Sequence, residues 1–433
     1  MSHSPAQDPK TQVPPDTAQP ASGGFLRSLG PGLVTGAADD DPSGIATYSQ
    51  VGAQFGYGLA WTMLFSFPLM AVIQEVSARI GCVTGQGIAQ NLREHYQPWL
   101  LRAVVGLLLI ANIFNLGADL GAMAAALKLL VGGPEELYVV GFATLCILLE
   151  TFMSYARYAS VLKWATISLF AYVAVAFAAH VPWSTALMGT LVPHLSFDAT
   201  SMTALVAVLG TTISPYLFFW QAAQEVEELR RRHVKALYVA PSEAGVEFAR
   251  IRKDTWFGMG VSNAIALFII FATAATLHAH GITEIQTSAQ AAEALRPIAG
   301  PFTFYLFAAG IIATGMLAVP VLAGSAAYGV SEVFGWVEGL NRRLQEARAF
   351  YATIALATFA GVALNFTGID PVKALYWSAV VNGLLAAPLM VVMMLIATNP
   401  VIMGELTLSS VMRILGWTAT GAMAAASVAF FLI

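Results

Sequence analysis

Charge is scarce in this sequence: 11% of its 433 residues are Asp, Glu, Lys or Arg, while 57% are hydrophobic. Soluble domains carry about 25% charged and about 45–50% apolar residues, so a water-soluble globular fold is excluded and a polytopic, all-α membrane protein is expected. Cysteine is nearly absent. Cys82 and Cys146 have no metal-ligand spacing and form no disulfide framework, so both read as small apolar fillers. Also missing are a G-x-x-x-x-G-K-[ST] run, an H-E-x-x-H motif, a nucleophile elbow and any polar stretch long enough for an ATP-binding domain, which leaves an enzyme reading without support. Residues 1–24 are polar and Pro-rich and lack the apolar run of a signal peptide. They read as a disordered cytoplasmic tail ahead of one transmembrane unit, 25–433.

Eleven apolar segments of spanning length, about 17–25 residues or more with tilt, lie near 30–56, 59–81, 100–131, 137–156, 160–181, 201–222, 255–279, 302–333, 349–369, 374–397 and 410–432. A cytoplasmic N-terminus puts every Lys and Arg on the inner side except Lys128, Arg296, Lys373 and Arg413. The positive-inside rule therefore predicts N-terminus in and C-terminus out. The longest polar connections are 224–253 and 280–300. In the first, EVEELRRRHVKAL sets acids and bases at helical spacing, which suits a solvated connecting helix or a short amphipathic helix at the headgroups.

Two segments carry helix breakers: Ala38-Asp39-Asp40-Asp41-Pro42-Ser43-Gly44 in the first and Gly210-Thr211-Thr212-Ile213-Ser214-Pro215-Tyr216 in the sixth. A charge at bilayer depth costs roughly 2.5–3.5 kcal/mol on insertion scales, and broken backbone survives there only when buried in protein or beside a wet cavity. Interruptions five spans apart predict an inverted-repeat transporter, with halves near 30–182 and 200–397, an extra helix at 410–432 and the site between the unwound regions.

Cations gather at the carbonyls that such a break exposes, which brings Ala38 into the candidate set. Asp41, just before the proline, is either the carboxylate ligand or the N-cap of the second half-helix. Asp40 or Asp39 would hold waters or act at the entrance. From the sixth segment come the carbonyl of Thr211 or Thr212 and the hydroxyl of Ser214, unless these serve the helix backbone instead. All are hard oxygen donors, and neither break holds Met, Cys or His, which favours Mg, Ca or Mn over Zn, Cu or Fe. Asp119 and Asn382 are further intramembrane polar groups, with Glu75, Asn112, Asn115, Glu150 and Asn263 completing the set. An ionisable group at that depth is functional by default, whereas an amide also serves to join helices. Gln221, Gln224, Glu225, Glu227 and Glu228 mark the inner end of the sixth segment, as a solvated helix end or an acidic vestibule. His180, His194, His278 and His280 fall in external loops, and the i, i+2 spacing of the last two does not share a helical face.

GPGLVTGAADDDPSGIATYSQVGAQFGYGLAW, QEVSARIG, ADLGAMAAALKLL, GTTISPYLFFWQAA and VSNAIALFIIFATAATL together resemble the natural-resistance-associated macrophage proteins, the NRAMP divalent-metal transporters. That resemblance implies the LeuT-type fold, with helices 1–5 and 6–10 as inverted repeats and helices 1 and 6 broken at the midplane. The family's first break typically reads Asp-Pro-Gly-Asn and its sixth helix Met-Pro-His. Asp41, Pro42 and Pro215 match, while Gly44 stands for the metal-binding Asn, Ser214 for the Met and Tyr216 for the His. Asp119 stands where the family has a glutamate, a second family acid falls on Leu116, and the helix-ten glutamine falls on Ala379, one turn before Asn382. Without the thioether, and with a roomier site, the pattern resembles the NRAMP-related magnesium transporters of bacteria. The expected activity is import of partly hydrated Mg²⁺, and also Mn²⁺, across the inner membrane by alternating access with weak or no proton coupling. No cofactor, nucleic acid or obligatory protein partner is expected, only divalent ions and the lipid bilayer. The rivals are a proton-coupled Mn²⁺/Fe²⁺ symporter, a carrier of small organic solutes on the same fold, and a non-transporting receptor.

Overall fold

The computed structural model describes residues 31–153 and 166–433. The tail at 1–24 lies outside the described residues, as does the start of the fifth segment with Arg157 and Lys163.

Both helix interruptions arise from the same local chemistry. Proline lacks an N–H, and its ring disfavours helical geometry in the preceding residue. Asp41 accordingly takes φ −71°, ψ 169° before Pro42, and Ser214 takes φ −78°, ψ 125° before Pro215. The first span is thereby split into α1a (Pro31–Asp39) and α1b (Pro42–Phe55), and the sixth into α6a (Ala199–Thr212) and α6b (Pro215–Arg231). The remaining spans are α2 (Trp61–Thr84), α3 (Pro98–Val131), α4 (Glu135–Phe152), α5 (Phe170–Ala178 of the described residues), α7 (Ala244–Thr276), α8 (Thr303–Phe334), α9 (Arg348–Leu364), α10 (Pro371–Thr398) and α11 (Ser410–Leu432). Every element among the described residues is helical. Seven runs, including the unbroken count of Ala199–Arg231, are long and apolar enough to cross a membrane singly. The chain is a multi-pass membrane protein.

Arg230, Arg231, Arg232, Arg250, Arg342 and Arg343 gather at one end of the bundle, termed here the basic end. Arg413 belongs to that end, contrary to the sequence expectation. Lys373, in the first turn of α10, lines a cavity at the opposite end, so α10 finishes at the basic end, where the Leu408 N–H meets the Ala397 carbonyl just before α11 begins.

The polar connection expected at 224–253 is also shorter than its composition suggested. Helix α6b continues to Arg231 and α7 starts at Ala244, leaving 232–243 as the link. EVEELRRRHVKAL is thus mainly the end of α6b and not a separate amphipathic helix. The charges there are satisfied across the link: Arg250 binds the fully buried Glu225 at 2.5 Å and Glu247 at 2.9 Å, and Arg232 grips Glu247 through both terminal nitrogens at 2.7 and 2.9 Å. Gln221, Glu225 and Glu227 are buried and hydrogen-bonded, which corrects the solvated end for these three, whereas Gln224 and Glu228 are half-buried. The external histidines form no cluster either. His278 and His280 each bind a backbone carbonyl, of Ala53 and Thr276, through Nδ1.

Bare backbone seats one half of each broken helix. A Cβ on Gly36 of α1a would lie 2.4 Å from the Gly258 carbonyl carbon of α7, and one on Gly210 of α6a would lie 2.1 Å from the Ala379 oxygen and 2.3 Å from the Gly383 nitrogen of α10. Small residues permit such close crossings in membranes, where packing replaces the hydrophobic drive.

Candidate ion site between the two breaks

Asp41 is the N-cap of α1b. Its Oδ1 accepts the Gly44 N–H at 2.7 Å and the Ser43 hydroxyl at 2.8 Å, and its Oδ2 accepts the Tyr216 hydroxyl at 3.2 Å. Tyr216 also stands 3.2 Å from the Ala38 carbonyl, so the first residue pair of α6b is tied to both sides of the first break. The capping and ligand alternatives for Asp41 therefore concern the same two oxygens.

Gly44 lets the two breaks pack closely beside them. A methyl on Gly44 would sit 3.1 Å from Thr211 Oγ1, 3.3 Å from the Asp39 carbonyl oxygen and 3.4 Å from Asp41 Oδ1. Three hard oxygens from both breaks converge on that space, and Thr211 Oγ1 is buried without a hydrogen-bond partner. Ser214 is placed differently. Its hydroxyl donates to the Thr211 carbonyl at 2.8 Å and the Gly210 carbonyl at 3.2 Å, serving the end of α6a. Thr212 likewise turns its hydroxyl to the Val208 carbonyl.

Asp40 and Asp39 lie to one side, sharing the Ser262 hydroxyl of α7 at 2.9 Å each, while Asp39 Oδ1 has no partner. Ser262 is a contact that sequence reasoning missed: Asn263 was singled out next to it, and only the position of α7 against α1a selects the serine. Asp119 lies beside Asp41 and the Ser43 backbone, with both carboxylate oxygens buried and without a close hydrogen bond. On the same face of α3, Asn115 has both amide atoms unpaired, and Asn112 donates to the Leu322 carbonyl. Asn382 is buried with both amide atoms unpaired, one residue before the Gly210–Gly383 crossing, whereas Ala379 contributes its carbonyl to that crossing. Glu150 is buried and unpaired on α4. Glu75 serves structure, accepting from Arg79, Arg252 and Trp256.

The two ends of the route differ. Toward the basic end, the Gly32 N–H of α1a donates to Asp254 at 2.7 Å, Thr35 binds Gln221, Gln221 binds Glu225 at 3.3 Å, and Glu225 leads into the Arg250–Glu247–Arg232 chain. Toward the opposite end, a cavity of about 460 Å³ opens between α1b, α6a, α10 and the connection from α7 to α8, with Gln50, Thr203, Glu284 and Trp377 among its walls. Among the described residues no three His, Cys, Asp or Glu side chains form a metal-holding group. Any ion at this break must therefore take carbonyl, hydroxyl or water oxygens along with Asp41.

Residues 32–432 match the family described as natural resistance-associated macrophage protein-like. The chain belongs to the Nramp family. It is 26% identical over 402 residues to the divalent metal cation transporter MntH of Klebsiella pneumoniae (strain 342), across 90% of each chain. The MntH of Deinococcus radiodurans is 25% identical over 402 residues, which cover 91% of this chain and 86% of that relative. Among solved structures, the Eremococcus coleocola manganese transporter in complex with an aromatic bis-isothiourea substituted compound matches with a TM-score of 0.74 at 16% identity, over 95% of this chain and 88% of that one. Mhp1 in its inward-facing conformation matches at 0.52 with 14% identity, over 93% of this chain and 90% of that one. These structural likenesses show the fold. The Nramp chain thus has the LeuT-type arrangement, with its first and sixth helices broken as the sequence predicted.

Proposed function

We propose that this Nramp chain imports Mg²⁺, and also Mn²⁺, as partly hydrated ions by alternating access across a bacterial inner membrane, with weak or no proton coupling. The observation that carries this reading is the space at Gly44, whose nearest neighbours from both breaks are all oxygens. Mg²⁺ gives up water reluctantly and accepts a site that supplies one or two carboxylate contacts and leaves the rest to water. Asp41 suits that role, because its oxygens already hold Ser43, Gly44 and Tyr216 and can meet an ion through its water shell without the cap being dismantled. Thr211 offers an unpaired hydroxyl, Asp39 a carbonyl, Asp40 and Asp119 a negative field, and Asn382 a second contact from α10. Tyr216 occupies the place of an imidazole that could carry a proton. The positive-inside rule puts the basic end in the cytoplasm, so the open cavity faces outward.

A proton-coupled Mn²⁺/Fe²⁺ symporter lacks a thioether and an imidazole at either break, and an anionic organic solute would be repelled by Asp39, Asp40 and Asp41. Uptake of Mg²⁺ and Mn²⁺ into proteoliposomes with an internal pH reporter tests the reading. Mg²⁺ entry without acidification, abolished in Asp41→Ala, is the expected result. Strict Mn²⁺ selectivity with acidification would instead establish the coupled symporter.

A further inference from the structure

A thin apolar wall, Ala46, Ile285 and Val372, separates the open cavity from a smaller chamber behind it. Ile285, in the connection from α7 to α8, is buried and borders two spaces at once: the cavity of about 460 Å³ and, behind it, an enclosed chamber of about 20 Å³. The chamber is lined by Ile45 and Ser49 of α1b and by Ala122 of α3, one turn beyond Asp119. Since a single water needs ~10–15 Å³, this chamber admits about one water and no hydrated divalent ion. Withdrawal of Ile285 would join the cavity to this chamber, which lies on the Asp41 side of it.

What holds Ile285 in place is a side chain of α1b. Gln50 accepts the Ile285 N–H at 2.9 Å through Oε1 and donates through Nε2 to the Thr283 carbonyl at 3.1 Å, with Gln54 Oε1 at 3.2 Å steadying the same amide. A primary amide presents its donor and acceptor side by side, so it pairs with the carbonyl and N–H of the segment as a neighbouring strand would. The short helix Ser288–Glu293 then follows, capped by Thr287.

We infer that Gln50 is the latch of the outer gate: its amide seats residues 283–285 on α1b so that Ile285 plugs the route, and release of those two bonds admits the ion. The inference rests on transport passing through the Asp41 break, yet its test requires no flux and no choice of ion. Gln50 touches backbone alone at this segment, so it acts as a positioning residue for the plug.

The experiment uses full-length protein carrying Ser49→Cys, a near-isosteric change that places a thiol in the chamber, and follows labelling by a bulky water-soluble maleimide. Adding Gln50→Ala should speed labelling about tenfold, the change expected from losing two neutral hydrogen bonds. Gln50→Glu, which keeps the acceptor for Ile285, should fall between. A separate Thr203→Cys protein, with its thiol in the cavity, should label at one rate with or without Gln50→Ala, and the buried native Cys82 and Cys146 should stay unlabelled. Equal Ser49→Cys rates with and without Gln50→Ala would overturn the latch. If Gln50→Ala exposes the native cysteines by unfolding, Ile285→Ala decides. It removes the plug and keeps the backbone bonds, and unchanged labelling there would overturn the gate itself.

Discussion

The two ends of this Nramp chain are closed by different physics. At the basic end, α1a and α6b are each tied to α7 by charged side chains: Asp254 on the Gly32 N–H, Glu225 on Arg250, and Glu247 between Arg250 and Arg232. At the opposite end, a neutral amide and one isoleucine do the work. Removing one partner from a buried ion pair costs about 3–5 kcal/mol, mostly because the other charge is left stranded, whereas a neutral hydrogen bond nets about 0.5–1.5 kcal/mol. The closure at the cavity end is therefore the weaker one, and the basic end should yield only when something else offsets the cost of separating its pairs.

The strongest way to break that contrast is Arg250→Ala. It strands Glu225 and should lower stability by about 3–5 kcal/mol, read as a fall in Tm, while Gln50→Ala costs about 1–3 kcal/mol for its two bonds. Glu225→Gln in the Arg250→Ala background should recover part of the loss, because the stranded group becomes neutral. Equal Tm losses in Arg250→Ala and Gln50→Ala would erase the distinction between the ends.

A smaller effect is expected where α1a sits on α7. Gly36→Ala forces a methyl to within 2.4 Å of Gly258 backbone, so α1a must move away. Overpacking of this kind costs about 1–3 kcal/mol. The decisive readout is protease or thiol access to a cysteine at Thr35, which should rise from the basic side only.

The smallest is a pH effect. Burial, with Glu227 nearby, pushes the Glu338 carboxyl up to about 7, although Arg230 and Arg93 pull it down. Between the usual glutamate value and about 7 the folded state binds more protons than the unfolded one, so stability falls as pH rises through that window and levels off above it. Glu338→Gln should flatten that part of the Tm-against-pH curve. An unaltered slope would mean that Glu338 titrates normally.

Legibility in the sequence followed the range of the interaction. The breaks were readable because Asp41-Pro42 and Ser214-Pro215 act on their own backbones. Apart from the fifth span, whose start lies outside the described residues and whose helix Phe170–Ala178 bends by 119° into Trp183–Leu191, span positions were readable except where charges were taken as a sign of water. Glu225 and Arg250 are 25 residues apart, and nothing local announces that they neutralise each other inside the protein. The site was half legible. Asp41, Gly44 and Thr211 lie together, but Thr211 presents its hydroxyl where the sequence offered its carbonyl, Ser214 turns inward to its own helix, and Ser262 and the Gln50–Ile285 pairing depend on how distant elements lie together.

The glycine seats carry a mechanical consequence. At the Gly36–Gly258 and Gly210–Gly383 crossings themselves, main chain lies on main chain, with no side chain there that must leave one groove and find another. Each half-helix can rock on such a bearing without any rotamer being re-sorted. The same smoothness leaves no clearance, so one methyl is enough to jam the joint. Ease of pivoting and intolerance of substitution are one property of these contacts.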